Sequence, residues 1–217
     1  EFRRVLFRSP RTIYPLMPES DNFECETLQM QWNTIHPPIE PIYSLTERFG
    51  YLRLYTREEV INEICLPSFV GRRQRHKVFL ARTAMEFTPA AENEEAGIAL
   101  VQDDRFHYLM VLTQKNGKLV LQAYKTENGI KSLLAETEVR DTKRIYLSVQ
   151  GNTTDYDFYY GHNDQEMIPL IRGLKASLLS SVINNGFTGT YIGMYTSSNH
   201  HSSTNHADFD WFNYQGE

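Results

Sequence analysis

Side chains that could bind a metal ion gather near the end of the chain. His200, His201 and His206 lie in a stretch rich in Ser, Thr and Asn. Asp208 and Asp210 follow with one residue between them, so in a strand both would point to the same side and offer oxygen ligands to calcium. Metal binding needs ligands held at fixed geometry, which a polar loop does not supply. We predict a solvated loop, two solvent-facing acids, and neither a metal site nor a cofactor, with structural calcium as the one alternative.

Other chemistry-bearing residues form no recognisable catalytic pattern. Glu92, Glu94 and Glu95 precede an apolar run and are predicted to be a solvated acidic loop. Cys25 and Cys65 lack the spacing of a zinc site. The sequence contains no nucleophile elbow, phosphate-binding loop, dinucleotide fingerprint or H-E-x-x-H motif. We therefore assign no catalytic residue to this chain.

The densest polar cluster is FVGRRQRH, residues 69–76. It has two interpretations. Solvated charge on an edge strand protects a sheet from aggregation, whereas a packed polar surface could contact a partner domain. The second interpretation makes a set of five residues a candidate domain interface: Phe69, Arg72, Arg73, Gln74 and His76.

Composition limits the class of protein. The 217 residues are 41% hydrophobic and 23% charged, which is a globular balance. The 22 basic and 27 acidic residues give a net charge of -5, which argues against a nucleic-acid partner. No apolar run approaches the roughly 20 residues of a membrane-spanning helix, so no membrane partner is expected.

Aromatic residues make up 12% of the chain and include Trp32, Tyr108 and Trp211. Aromatic faces stack on sugar rings, which offers a sugar-binding interpretation. Strands also favour aromatic residues, and sandwich cores are packed with them. For each ring we favour the core interpretation.

An alternation of period two dominates the chain from residue 10 onward and predicts strands. Asn116-Gly117 and Asn128-Gly129 are flanked by such runs and predict two tight hairpins. The only helix candidate is a weak one, of a turn or two, near residues 174–182. The predicted strands are residues 50–55, 78–87, 96–101, 108–112, 119–124, 132–138, 144–149, 156–160, 189–195 and 207–214. This number of short strands predicts an all-β sandwich or jelly roll in a single domain.

The first nine residues, EFRRVLFRS, fit no strand or helix period. The string resembles a translated sequencing adapter, so we interpret residues 1–9 as an artefact and exclude them from the fold. A genuine flexible arm is the alternative. Because no Met opens the chain, we expect the natural protein to have begun upstream.

Five strings together resemble the C-terminal domain of bacterial β-xylosidases of glycoside hydrolase family 43. They are WNTIHPPIEPIYSLTERFGYLRLY (32–55), FVGRRQRH (69–76), ENEEAGIALVQDDRFHYLMVL (92–112), GFTGTYIGMYTS (186–197) and ADFDWFNY (207–214). The resemblance implies a concanavalin-A-like jelly-roll sandwich of two antiparallel sheets over residues 21–217. It also implies that residues 10–20 are a linker from a missing N-terminal catalytic domain, a five-bladed propeller.

The resemblance also carries expectations about function. In that family the catalytic carboxylates belong to the propeller, so no Asp or Glu of this chain takes that role. The parent enzyme would be an inverting, exo-acting β-xylosidase, with α-L-arabinofuranosidase activity as an option, acting on xylo-oligosaccharide or arabinosyl substrates. GFTG matches a loop that closes one side of the propeller's pocket, which makes Phe187 the residue that lines the sugar subsite. The implied source is bacterial, either cytoplasmic or periplasmic.

Three alternatives remain open from the sequence. Phe187 could be an ordinary core residue after a loop. The whole domain could be an independent carbohydrate-binding module, which would expose coplanar aromatic rings rather than an apolar docking patch. A homo-oligomer is also left open.

Deleting residues 1–9 should leave the fold unaffected, because they have no amphipathic period and no partner strand. We expect the free energy of unfolding to change by less than about 0.5 kcal/mol. Denaturant titrations of the full chain and of the truncated chain measure this difference. A clear loss of stability in the truncated chain would show that the arm packs on the sandwich.

Overall fold

Two antiparallel β-sheets face each other across one apolar core in the computed structural model, which describes residues 17–140, 143–184 and 188–217. The strands are β1 (Ser20–Asp21), β2 (Tyr43–Ser44), β3 (Leu52–Tyr55), β4 (Ser68–Arg73), β5 (Val78–Glu86), β6 (Glu95–Val101), β7 (His107–Lys115), β8 (Lys118–Glu127), β9 (Ile130–Glu138), β10 (Ile145–Asn152), β11 (Asp155–Gly161), β12 (Ile168–Lys175), β13 (Tyr191–Ser197) and β14 (His206–Gly216). This architecture confirms the predicted all-β, concanavalin-A-like sandwich of two antiparallel sheets.

The strand order brings together segments that are distant in the sequence. Within the described residues, the eight-stranded sheet runs β12-β11-β10-β5-β14-β3-β2, with β1 paired to β14. The six-stranded sheet runs β4-β13-β6-β7-β8-β9. β14 therefore lies between β5 and β3, and β13 lies between β4 and β6. The two C-terminal strands complete both sheets.

Local sequence explains most of the strands and both hairpins. Phe79, Ala81, Met85 and Phe87 point into the core from β5 and its end, as their alternation predicts. Asn116 and Gly117 have φ values of 51° and 74°, and Asn128 and Gly129 have 53° and 80°. These left-handed pairs are what two-residue hairpin turns require. Both predicted hairpins, β7 to β8 and β8 to β9, are confirmed.

The central strands of the six-stranded sheet are covered on both faces. Its inner face packs into the main core, and its outer face carries a second apolar cluster of Ile61, Phe69, Ala99, Val101, Leu109, Val111 and Tyr195. All seven residues of β6 are buried as a result, which explains the unbroken apolar run at residues 96–101.

The core interpretation of the aromatic residues is confirmed for two rings. Trp32 and Tyr108 are both buried. The indole Nε1 of Trp32 donates a hydrogen bond of 2.7 Å to a carboxylate oxygen of Asp21. The hydroxyl of Tyr108 donates one of 3.2 Å to the carbonyl of Lys175. Trp211 differs, because it is half-buried on the outer face of the eight-stranded sheet.

The turn or two of helix predicted near residues 174–182 is confirmed in part. Its first two residues belong to β12, and the rest forms a 3-10 turn at Ala176–Leu179 and one α-helical turn, α1, at Ser181–Asn184. The sequence did not predict β12, because Pro169 and Gly173 interrupt its alternation. Such a strand is tolerated at the edge of a sheet, where β12 lies. No helix of the described residues is long and apolar enough to cross a membrane.

Asp208 is not solvent-facing, contrary to the prediction. Its side chain is buried and accepts hydrogen bonds of 2.8 and 2.9 Å from Arg53 and one of 2.8 Å from Arg48. Burial acts to raise the pKa of Asp208, but the two arginines outweigh it and lower the pKa. Asp210 lies at a β-bulge and pairs with Arg144 at 2.8 Å. Both acids are therefore paired with arginines in the folded sheet.

The solvated acidic loop was wrongly predicted for Glu94 and Glu95, which are buried, whereas Glu92 is exposed as predicted. The carboxylate of Glu94 accepts hydrogen bonds from Ser203, Asn205 and the backbone N–H of Ala90 at 2.6 to 2.7 Å. These bonds outweigh the effect of burial and lower the pKa of Glu94. Glu95 pairs with Lys131 at 3.1 Å. Both carboxylates therefore hold loops and strands together.

His107, the first residue of β7, is buried in a setting that disfavours a positive charge. Its Nδ1 lies 3.3 Å from the carbonyl oxygen of Asp103, and its Nε2 has no hydrogen-bond partner in the described parts of the chain. Burial is the main reason that the pKa of His107 falls to about 4, and the charge of Lys131 acts in the same direction. The folded protein therefore holds this imidazole neutral near pH 7.

We expect the free energy of unfolding to decrease as the pH falls from about 6.5 to about 4. In that window the unfolded chain binds a proton at His107 and the folded chain does not. The contribution is fully present above pH 6.5, the ordinary pKa, and is lost toward the folded pKa of about 4. Between pH 7 and pH 4.5 the loss should be about 2 to 3 kcal/mol. Urea titrations of the natural chain and of His107→Gln at both pH values measure it, and an equal loss in the two proteins would contradict the prediction.

Candidate functional site

An open groove of about 470 Å³ lies over the end of the six-stranded sheet. Phe69 of β4, Val101 of β6 and Tyr191 of β13 contribute from the sheet. The loops at residues 33–36 and 61–67 form its walls. We call this feature the edge groove.

The floor of the edge groove belongs to the second apolar cluster. Ile61, Phe69 and Val101 are buried members of that cluster, and Tyr191 is partly buried against it. Ile64 lies on the rim with 88% of its surface exposed. The groove is therefore a place where the apolar cover of the outer face is left open to solvent.

A backbone bridge holds one wall against β4. Asn33 and Gly71 exchange two hydrogen bonds, of 2.8 and 2.9 Å, between their backbone groups. A Cβ atom at Gly71 would lie 2.3 Å from the ring of Phe69. Glycine at this position leaves the room that the Phe69 ring needs beneath the groove.

Acidic side chains lie on the polar rim. One carboxylate oxygen of Asp103 accepts hydrogen bonds of 2.9 Å from the backbone N–H groups of Arg105 and Phe106, so it holds its own turn. Glu63 lies 3.4 Å from the ring of His200. Asp104 is half-buried and has no hydrogen bond or ion pair within the described residues.

Gln102 connects the groove to both ends of the segment 185–187. Its side-chain oxygen accepts a hydrogen bond of 2.7 Å from Asn184. Its backbone oxygen accepts one of 3.1 Å from the hydroxyl of Thr188. Gln102 is buried, and its Nε2 has no partner in the part of the chain that the structure describes. The chain thus enters and leaves this segment at the edge groove.

Phe187, the predicted sugar-facing residue, lies outside the described residues. Its role stays a prediction. The nearest described residue in the sequence, Thr188, lines the edge groove. At Gly189 a Cβ atom would lie 2.8 Å from Nη1 of Arg73, so a larger residue would require the end of that flexible side chain to shift.

The structure brings the 69–76 cluster and the chain that follows residue 187 together. β4 and β13 pair antiparallel, with Arg73 opposite Tyr191. The guanidinium of Arg73 lies 4.9 Å from the ring centre of Tyr191 and donates to its hydroxyl at 3.1 Å. The backbone N–H of Gln74 donates to the carbonyl of Thr190 at 2.9 Å. Phe69, Arg73 and Gln74 are thus next to the chain that flanks Phe187.

Arg72 and His76 lie on the other side of this strand. Arg72 is buried, donates to the carbonyl of Pro18 at 2.9 Å and lies 4.9 Å from the ring centre of Tyr214. Burial lowers the pKa of Arg72. The ring of His76 also packs against Tyr214, at 5.8 Å between ring centres. Contact of any of the five predicted interface residues with another domain stays a prediction.

Sequence reasoning did not single out Ile64, Gln102, Asp104 or Tyr191 as site residues. The pair Asp103-Asp104 directly after the apolar run of β6 was the only signal available. Polar residues after a strand are common at turns, so this signal does not distinguish a site from an ordinary loop.

Comparison with known proteins gives a consistent result. Residues 20–215 match the family model described as beta xylosidase C-terminal concanavalin A-like domain. The chain is 35% identical over 210 residues to the non-reducing end α-L-arabinofuranosidase BoGH43B of Bacteroides ovatus, which covers 95% of this chain and 39% of that protein. It is 29% identical over 218 residues to the β-xylosidase of Bacillus subtilis, covering 95% and 40%.

Solved structures agree with this assignment. The Bacteroides ovatus xyloglucan PUL GH43B structure superposes with a TM-score of 0.89 at 34% identity, over 97% of this chain and 41% of that one. The xylan β-1,4-xylosidase of Bacillus halodurans gives 0.88 at 27% identity, over 96% and 41%. The chain spans about two fifths of the length of these relatives. The sandwich topology and the match over residues 20–215 together show that this chain belongs to the family of β-xylosidase C-terminal concanavalin A-like domains of glycoside hydrolase family 43.

Proposed function

We propose that this chain docks on a five-bladed propeller catalytic domain and closes one side of its sugar pocket with the segment that contains Phe187. Two relatives are named as an α-L-arabinofuranosidase and a β-xylosidase, and each is matched over about two fifths of its length. The observation that carries the proposal is an open apolar groove beside the segment 185–187. The 69–76 cluster, for which a domain interface is one of the two interpretations from the sequence, pairs with the strand that follows this segment.

The exposed side chains near the groove favour docking over direct sugar binding. Ile64 is 88% exposed on the groove rim. Val182 and Ile183 of α1 are 88% and 60% exposed, and α1 ends at Asn184, which bonds to Gln102. Branched aliphatic side chains offer no flat face for a sugar ring, whereas burial in an interface between domains removes them from water. A carbohydrate-binding module would instead present coplanar aromatic rings.

In this proposal the parent enzyme hydrolyses glycosidic bonds with carboxylates of the propeller. An inverting enzyme needs a general acid and a general base on opposite sides of the scissile bond. The substrates would be xylo-oligosaccharides or arabinosyl groups at non-reducing ends. This chain would exclude water at the terminal-sugar subsite and position the sugar face.

The purified chain alone should not hydrolyse aryl β-xylosides, aryl α-L-arabinofuranosides or xylobiose, because the proposal places both catalytic carboxylates in the propeller. Steady-state assays on material from a host lacking xylosidases measure this. Turnover at about 1 s⁻¹ or faster, typical of enzymes, would contradict the proposal.

Phe187→Ala should lower kcat/KM in a complete enzyme, because a ring that borders the subsite contributes to transition-state binding. A suitable enzyme is a chimera in which residues 20–215 replace the matching domain of the Bacteroides ovatus arabinofuranosidase. We expect a loss of about 1 to 3 kcal/mol, roughly 5- to 150-fold. Phe49→Ala is the matched control, since Phe49 is 75% exposed in the turn between β2 and β3.

Melting and kinetics should be measured on the same preparations. If Phe187 were instead a core residue, its loss should destabilise the fold by about 3 to 5 kcal/mol while the folded enzyme kept its kinetics. Unchanged kcat/KM together with a large drop in melting temperature would contradict the assignment of Phe187 to the sugar subsite.

A further inference from the structure

We propose that the edge groove is the seat of one segment of the catalytic domain, which inserts an apolar side chain over Phe69 and places an Arg or Lys side chain beside Asp104. The inference rests on the proposed function and adds the chemistry of the contact. It is carried by the shape, the polarity and the position of the groove in the described residues.

Ile64 provides the exposed apolar surface of the groove. This side chain is almost fully exposed, although it borders a floor made of the buried Phe69 and Ile61. The fold of this domain gains little from an isoleucine at that position. An apolar side chain that fills the groove would bury Ile64 together with the accessible edge of Tyr191, and such a central, desolvated contact is typical of strong interface positions.

The acidic rim of the groove provides a site for a basic side chain. Of its three carboxylates, Asp103 holds its own turn and Glu63 faces His200. Asp104 is half-buried without a counter-charge in the described residues. Arg73, the nearby cation of β4, is engaged with Tyr191. A basic side chain on the occupant would neutralise Asp104, and charge complementarity of this kind fixes the register of an interface.

Position identifies the occupant. Thr188 lines the groove and, with Asn184, ties the segment 185–187 to Gln102. Because Thr188 directly follows Phe187 in the sequence, the proposed contact through Phe187 would bring the catalytic domain to this groove. The relatives carry about three fifths of their length outside the matched domain, which is ample for a catalytic domain. A segment of that domain is the occupant that the groove and the proposed function share.

The test uses the chimera with two groove variants and two matched controls. Ile64→Asp and Asp104→Lys alter the groove. Ile168→Asp, at a side chain 49% exposed on β12, and Asp164→Lys, at an exposed residue of the turn between β11 and β12, make the same changes on the other sheet. Calorimetry and kcat/KM are measured for all four, and melting of the isolated chain shows whether each variant folds.

We expect both groove variants to melt like the natural sequence in the isolated chain, because neither side chain is part of its core. In the chimera they should separate one shared melting transition into two and lower kcat/KM by about tenfold or more. The controls should do neither. Asp104→Asn should cause a smaller loss, and about 1 M salt should reduce the difference between it and the natural sequence.

The outcomes separate the inference from the function on which it rests. If Ile64→Asp and Asp104→Lys behave like their controls while Phe187→Ala still lowers kcat/KM, the groove inference is overturned and the proposed function stands. If the unmodified chimera melts as two independent units and is as active as its catalytic part alone, docking itself fails.

Two results would assign the groove to another occupant. If the isolated chain binds xylo-oligosaccharide and Ile64→Asp abolishes that binding, the groove is a sugar site. Dimerisation of the isolated chain that the same variant abolishes would assign it to a second copy, and either result would overturn the inference.

Discussion

The antiparallel ladder between β4 and β13 is the interaction on which the rest of the site depends. It places Arg73 opposite Tyr191 and Phe69 opposite Tyr195, and β6 holds β13 from the other side. A strand with partners on both sides has its backbone groups satisfied and cannot slip without turning every side chain to the wrong face. The register of the strands that form the floor of the edge groove is therefore fixed by pairing.

The central strands of the six-stranded sheet are buried on both faces. The apolar surface exposed at the edge groove therefore lies outside the main core. The second cluster covers the outer face around Phe69 and Tyr195, and the cover stops at the edge groove. Ile64 lies on that boundary. In the proposed docking, the residues that stabilise the fold are largely not the residues that would meet another domain. Substitutions at the groove rim therefore test docking separately from folding.

The buried carboxylates of this fold receive hydrogen bonds from donors that the tertiary structure brings to them. Asp208 receives hydrogen bonds from Arg48 and Arg53, and Glu94 receives them from Ser203 and Asn205. A buried carboxylate without such partners would be strongly destabilising. Asp104 lacks them in the described residues and remains partly exposed at the groove. Asp104 is thus a half-buried carboxylate at the candidate contact surface for which the described residues supply no donor.

Local chemistry made a large part of this protein predictable. Alternation predicted most strands, and the left-handed preference of Asn-Gly at residues 116–117 and 128–129 predicted both hairpins, because these signals depend only on neighbours in the chain. Five strings in order were enough to indicate the family. The edge strand β12, the burial of Asp208 and the edge groove could not be predicted in this way. Each depends on which distant strands become neighbours, and only the folded sheets decide that, because pairing partners and covering loops come from segments far apart in the sequence.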